Sequence, residues 1–254
     1  MSTPELVVGM PRGGPRAPWW DRAYEPTVLE WLDDPAIPQH RKAAVIAGLD
    51  RWNRRSGAYW LFSRATLSQL PADATEARVL ELGAGHGALS VAMADALRSR
   101  GLRARVVASD ISAEYVRAMS ADERLRSRGV TALQLDATAL ALADGSFDVA
   151  VLTQTLHHLE PPQVVSLLRE ATRVARRLVI IDGWRAPWML LVTPPIWLLG
   201  NYPAFRDGVV SLRRMYSRRA LLHLCAQAGV HVEAGFMPPG YLRAVVSREP
   251  FTSR

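Results

Sequence analysis

In VLELGAGHGALS, residues 79–90, three glycines occupy every second position (Gly83, Gly85, Gly87) between an apolar run and a helical one. Glycine removes the side chain that would collide with a close-lying ligand, and the helix behind the loop presents unpaired amide hydrogens. Something polar is therefore expected to lie against the main chain at Gly83, Ala84 and Gly85. Taken alone, the loop also suits a pyrophosphate, because Gly83-Ala-Gly85-His-Gly87-Ala88 matches the relaxed dinucleotide fingerprint.

From residue 78 short β-branched runs alternate with amphipathic segments, the pattern of a parallel sheet covered by helices on both faces. ARVLEL, ARVVASD, VTALQLDA, FDVAVLT and RRLVIIDGW read as five successive strands. The helices between them carry their own signals: Gly101 ends the first, Ser112 caps the second, and Pro161 opens the one after strand four. A last helix capped by Ser217 leads into HVEAGFMPPGYLRAVVS, whose Pro-Pro-Gly turn is too short for a crossover helix. The expected fold is α/β: a doubly wound, mostly parallel seven-stranded sheet ending in an antiparallel hairpin, which separates it from the all-parallel dinucleotide fold. Residues 1–20 read as a mobile terminus and 21–254 as a single domain. Within that domain, 21–75 form a helical cap, 76–183 the ligand-binding core, 184–216 a substrate-side insertion, and 217–254 the last helix and hairpin.

Composition narrows the partners. The net charge of +7 rests on arginine, since Lys42 is the sole lysine, and the arginines are scattered rather than interleaved with aromatic rings as a single-strand binder requires. Nucleic acid is not the expected partner. No run of about 18 apolar residues exists to span a bilayer, and the opening lacks a secretory pattern, so a cytoplasmic address follows by elimination. Cys225 is the single cysteine, which excludes an internal disulfide or a thiolate metal cluster.

Three carboxylates give the glycine loop its meaning. Glu81 precedes the first glycine, where it repels a pyrophosphate and welcomes an ammonium or sulfonium; Asp110 ends the second strand at the spacing of a ribose ligand; Asp136 ends the third, placed for an exocyclic amine beside the Ala137 amide. Anionic side chains at three neighbouring strand ends describe a site for a cationic nucleoside without phosphates. From about Arg78 to Ser247 these residues resemble the class I S-adenosylmethionine-dependent methyltransferases, through the acidic-x-Gly-x-Gly-x-Gly loop, the acid closing strand two, LDATALALADGSFDVAV and the hairpin. The resemblance implies S-adenosylmethionine as cofactor, S-adenosylhomocysteine as its product, and cofactor contacts at Gly83, Gly85, Asp110, Asp136 and Ala137. Ala84, Gly87, Ile111 and Thr153 join that set, and Glu81 either holds the cofactor's amino group or orients the loop. EWLDDPAIPQHRKAAVIAGLDRWNRRSG further resembles the amino-terminal region of small bacterial methyltransferases acting on phenolic polyketides or quinone-like compounds. If so, Asn53 and Arg54 close the cofactor site; otherwise they are a helix cap and surface charge.

Methyl transfer from a sulfonium is an in-line displacement in which charge is lost, so alignment in a dry pocket is the main demand. A hydroxyl nucleophile also needs a base, and TQTLHHLEPP after strand four offers His157 or His158, expected on one helix and therefore pointing apart. No histidine spacing suggests a metal site. All eight tryptophans lie outside the repeating core. They either pack the cap, roof an apolar pocket, or, at 188–199, touch a membrane surface, a run that Pro194-Pro195 interrupt. Tyr24, Tyr59, Gln154, Trp184, Trp188 and Tyr202 are the substrate-side candidates, with Tyr216 in reserve. Strand four lacks the Asn/Asp-Pro-Pro-aromatic turn of base and amide methylases, because Thr153-Gln154-Thr155-Leu156 stands there.

The expectation is an enzyme that methylates a small, largely apolar, aromatic or polyketide-like acceptor at oxygen, in secondary metabolism. Methylation at carbon or nitrogen is the alternative. From other classes come a nicotinamide-dependent oxidoreductase and a non-catalytic cofactor-binding module. The oligomeric state is not legible.

Overall fold

A computed structural model describes residues 7–199 and 201–251. Its strands are β1 (Glu76–Leu82), β2 (Arg103–Asp110), β3 (Thr131–Gln134), β4 (Phe147–Thr153), β5 (Ala175–Gly183), β6 (His231–Met237) and β7 (Tyr241–Ser247). They form one seven-stranded sheet in the order β3-β2-β1-β4-β5-β7-β6. The first five are parallel, and β7 inserts antiparallel between β5 and β6, as the Pro-Pro-Gly turn requires. Parallel strands covered on both faces bury both sets of side chains. Accordingly Leu80, Leu82, Val107 and Ile180 pack into one apolar layer, while Val79, Val106, Val149 and Ile181 pack into the other.

Among the described residues ten α-helices surround the sheet: α1 (Trp19–Tyr24), α2 (Gln39–Arg55), α3 (Ala58–Leu67), α4 (Ala88–Ser99), α5 (Ala113–Ala121), α6 (Glu123–Arg126), α7 (Pro161–Val174), α8 (Thr193–Leu199), α9 (Tyr202–Arg214) and α10 (Arg218–Ala228). Their starts follow local chemistry. Ser112 Oγ accepts from the Tyr115 amide and Ser217 Oγ from the Ala220 amide, while Glu160 and Gln163 cap α7 reciprocally ahead of its prolines. Asn201 does more than cap α9. Its Oδ1 accepts from the Ala204 amide and its Nδ2 donates to the Ala44 carbonyl, so α9 is bolted to α2. Only glycine fits at position 48, where a Cβ would lie 2.2 Å from Asn201 Oδ1.

Four expectations need correction. The terminus expected to be mobile over 1–20 is packed from residue 7 onward: Val7 and Met10 are buried in the core, and Arg12 donates to the carbonyls of His157 and Leu159. Residues 1–6 of that segment lie outside the described residues. Within the expected cap, α3 belongs to the main core, since Phe62 and Leu67 are buried and Phe62 meets Tyr241 edge-on at 5.0 Å. Pro194 and Pro195 do not interrupt the 188–199 run; they sit in the first turn of α8, where missing amide hydrogens do no harm. Fourth, β3 ends at Gln134, so Asp136 stands two residues beyond the strand. Among the described residues no helix is long and apolar enough to cross a membrane.

Candidate functional site

A cavity of about 610 Å³ runs along the carboxyl edge of the sheet. Its floor comes from the ends of β1, β2, β4 and β5 and from the β7 turn, and its roof from α2, α8 and α9. The order of strands therefore divides it in two: one half lies over β3, β2 and β1, the other over β4, β5 and β7.

The first half is built of main chain. Gly83, Gly85 and Gly87 all adopt φ between +54 and +72°, the left-handed region that side chains resist. Their neighbours differ. A Cβ on Gly85 would meet nothing within 4 Å, so here the bare backbone faces open cavity; on Gly83 it would strike Thr155, and on Gly87 it would strike Leu125. Gly87 does not line the cavity, and its glycine instead lets the start of α4 sit against Leu125 and Met119. Asp110 fixes the loop: its Oδ2 accepts the Gly85 amide at 2.9 Å and its Oδ1 the Ser112 amide at 2.9 Å. Burial raises its pKa against these amide bonds. Asp136 Oδ1 accepts from the Thr138 amide and hydroxyl, which turns its carboxylate toward the same half together with Ala137 and Ile111.

Glu81 differs from the permanent anion expected of it. It is 3% exposed, and burial pushes its pKa up to about 7, although Ser90 Oγ donates to Oε2 at 2.5 Å. Near neutrality the carboxyl is divided between neutral and charged forms.

The two halves meet at Gln154. It is a non-glycine residue with positive φ (51°), a strained conformation of the kind that clusters at ligand sites. Its amide donates to the Ile181 carbonyl and its Oε1 accepts from Asn53 Nδ2 at 2.7 Å, so α2 clamps the end of β4. Asn53 thus lines the cavity, whereas Arg54 pairs with Asp50. Thr153 and Tyr59 line the cavity as expected, and the Tyr59 hydroxyl donates to Asp50 at 3.0 Å.

The second half is apolar except at one place. Ile46, Leu49, Ile196, Leu212 and Met215 line it, and beyond them stands a buried polar cluster. His157 and His158 share a single 3-10 turn, Leu156–His158, and their rings converge at 4.3 Å between centroids. The expectation that they point apart fails because carboxylates from other segments hold the rings, Asp182 and Asp33 at the Nδ1 atoms and Glu30 before both Nε2 atoms. Each Nδ1 is tied to a carboxylate: His157 to Asp182 at 3.0 Å, and His158 to Asp33 at 2.8 Å. Both Nε2 atoms face Glu30, whose Oε2 lies 3.6 Å from His157 and 3.9 Å from His158. Burial alone would lower the His157 pKa, but Asp182 and Glu30 outweigh it and raise it to about 10. The two carboxylates thus favour the protonated ring, which makes His157 a poor proton acceptor near neutral pH. The same charges act on Glu30, where burial is outweighed by His157 and His158 and the pKa falls to about 2.

Several substrate-side candidates lie elsewhere. Tyr24 is covered by Arg185 and Arg213, Trp184 packs edge-on against Phe236, Trp188 is half exposed, and Tyr202 lies on the surface beside Phe205. The insertion does roof the cavity, through Met189, Ile196, Ser211 and Leu212, but its tryptophans face away from it; of the eight, Trp52 alone is among the lining residues. Sequence reading missed Glu30, Asp33, Asp182 and Ser211. Only Asp182 carried a local signal, as an acid closing a strand just as Asp110 does.

Residues 79–177 match the family described as a methyltransferase domain. The chain is 37% identical to a demethylmenaquinone methyltransferase of Beutenbergia cavernae over 131 residues, 50% of this chain and 49% of that protein. It is 31% identical to a malonyl-[acyl-carrier protein] O-methyltransferase of Geobacter sulfurreducens over 189 residues, 74% of this chain and 60% of that one. The chain thus spans between about half and 60% of the length of these curated relatives. In fold it is similar to the plantazolicin methyltransferase BpumL, solved with a desmethyl analogue and S-adenosylhomocysteine, with a TM-score of 0.62 at 13% identity, covering 85% of this chain and 91% of that one.

Proposed function

We propose that this chain, a member of the class I S-adenosylmethionine-dependent methyltransferases, transfers a methyl group to oxygen on a small, largely apolar acceptor of aromatic or polyketide-like character. The observation that carries the reading is the division of one cavity into a main-chain half over β1 to β3 and an apolar half that ends in a single polar cluster. S-adenosylmethionine, when bound, supplies the methyl as an electrophilic sulfonium substituent. Asp110 and Asp136 hold its nucleoside from the strand ends, Gly85 lets it approach the backbone, and Glu81 receives its cationic end. Thr153 and Gln154 stand where the halves meet, so the reacting centres align there. The apolar walls exclude water, which favours a displacement that disperses charge.

The acceptor's reacting oxygen lies toward the Glu30–His157–His158 cluster, the one polar feature of the acceptor half described above. The hydroxyl proton passes to the cluster, at His158 Nε2 or the Glu30 carboxylate, as the methyl leaves sulfur, rather than to His157, whose protonated form Asp182 and Glu30 favour. The names of the relatives, a quinone methyltransferase and a carrier-protein O-methyltransferase, agree with a small-molecule acceptor, and secondary metabolism in the cytoplasm is the setting that fits it. Methylation at carbon is the second reading, favoured by the relative named for demethylmenaquinone. Turnover with a panel of phenols, cyclic 1,3-dicarbonyls and aromatic amines, with products identified by mass spectrometry and NMR, separates the readings. Methyl ethers are expected. Products methylated at carbon or nitrogen alone would overturn the choice of oxygen.

A further inference from the structure

The polar cluster has more negative charge and more unused donor capacity than a pair of hydrogen-bonded histidines needs. Glu30 is 1% exposed, yet its Oε1 has no hydrogen-bond partner, while Ser211 donates to its Oε2. The separations of 3.6 and 3.9 Å between Glu30 Oε2 and the two Nε2 atoms are too long for hydrogen bonds. They are close to the edges of a coordination polyhedron: bonds of about 2.0–2.1 Å around a tetrahedral centre put neighbouring donors about 3.4 Å apart. One oxygen of Glu30 and one ring nitrogen of each histidine lie mutually within 4.8 Å.

The surrounding residues fix those donors. Asp182 on His157 Nδ1 and Asp33 on His158 Nδ1 set both rings in the orientation that offers Nε2 inward, the carboxylate–histidine arrangement that braces metal ligands. Arg214 in turn pairs with Asp33 at 2.9 Å, and Asp182 also accepts the amides of His157 and Gly183, so neither brace is free to swing. Asp207, whose Oδ2 is also buried without a partner, adds a further carboxylate near Glu30. Among the described residues, Arg206 pairs with Asp207 and Arg214 with Asp33, and the ion pairs of Glu30 and Asp182 are with the two histidines. Carboxylates thus outnumber guanidinium groups around the donors, a setting that suits a divalent cation.

We propose that Glu30, His157 and His158 form a binding site for a divalent transition-metal cation of the zinc class, for which two imidazoles and a carboxylate are suitable donors. Binding requires each ring to present the lone pair of its Nε2 to the metal. The open side of the site faces the acceptor half of the cavity, so an oxygen of the acceptor would complete the coordination and be held toward the end of β4. That last role rests on the function proposed above; the binding itself does not.

The full chain, stripped with a chelator, is titrated calorimetrically with Zn²⁺ and, in parallel, with Co²⁺ while visible absorption is recorded. One saturating equivalent and a Co²⁺ band of low-symmetry coordination are expected. His158→Ala and Glu30→Gln should each weaken binding by more than about 100-fold, and Asp33→Asn by about 10- to 100-fold, the usual cost of losing a brace. His158 is the partly exposed ligand, so its variant decides the outcome if Glu30→Gln does not fold in a thermal melt. No saturable binding by the parent, or equal binding by the parent and His158→Ala, would overturn the site. S-adenosylhomocysteine is titrated into the same samples: metal binding without it would uphold this site and contradict the methyltransferase reading, and the reverse would do the opposite.

Discussion

The two halves of the cavity are built by different means. Over β1 to β3 the site is made of strand ends and a turn within one continuous stretch, and its polar groups are held by neighbouring amides, as Asp110 is by Gly85 and Ser112. Over β4 to β7 it is assembled from remote segments, with Glu30 and Asp33 meeting His157, His158, Asp182 and Ser211 through the packing of α9 and the loop before α2. The first arrangement costs little and is exposed to ligand. The second buries charges that are stable only as a complete set, because an unpaired ion in such a place is expensive.

That contrast can be broken most forcefully at Asp182. Asp182→Ala leaves a buried imidazolium with half its counter-charge and removes the acceptor of two amides, so stability should fall by about 3–5 kcal/mol, while the folded fraction keeps its affinity for S-adenosylhomocysteine. Denaturant unfolding and calorimetry check both parts. Loss of cofactor affinity with unchanged stability would show that the halves are not separate.

A smaller effect sharpens the picture of the first half. With Glu81 raised to about 7, the free protein loses stability as pH rises from about 4.5 through about 7, since ionising the buried carboxyl opposes folding. A cationic ligand prefers the ionised form, so S-adenosylmethionine should bind up to about tenfold more tightly per pH unit below 7 and level off above it. Glu81→Gln should flatten that profile. Ser90→Ala, which removes the hydroxyl that favours the ionised carboxylate, should move the inflection upward by about one unit. An unchanged profile in both variants would assign the pH dependence to another group.

The same contrast explains what the sequence made legible. The sheet, its hairpin, the glycine loop and Asp110 are all visible because strand patterns, turn glycines and strand-terminal acids act over a few residues. Glu30 and Asp33 are not, since nothing near them in EWLDDP distinguishes a metal or histidine partner from a solvated acid; the partner arrives only when the chain has folded. The tryptophans misled for a related reason. Aromatic character signals burial, yet Trp19, Trp60 and Trp197 are each more than half exposed, and the roof is made instead by aliphatic side chains of α2, α8 and α9 together with Met189 and Met215. His157 and His158 were legible as residues but not as a pair, because their convergence depends on carboxylates that belong to other segments.

The central claim is that strand-end carboxylates beside a bare loop hold an adenosyl donor, and calorimetric titration of S-adenosylhomocysteine into the parent and Asp110→Ala tests it most directly. Saturable one-to-one binding by the parent is expected, weakened by roughly 100-fold in the variant as about 2–3 kcal/mol of charge-assisted hydrogen bonding is lost. No heat with the parent, or equal affinity in a variant shown by thermal melting to be folded, would contradict it.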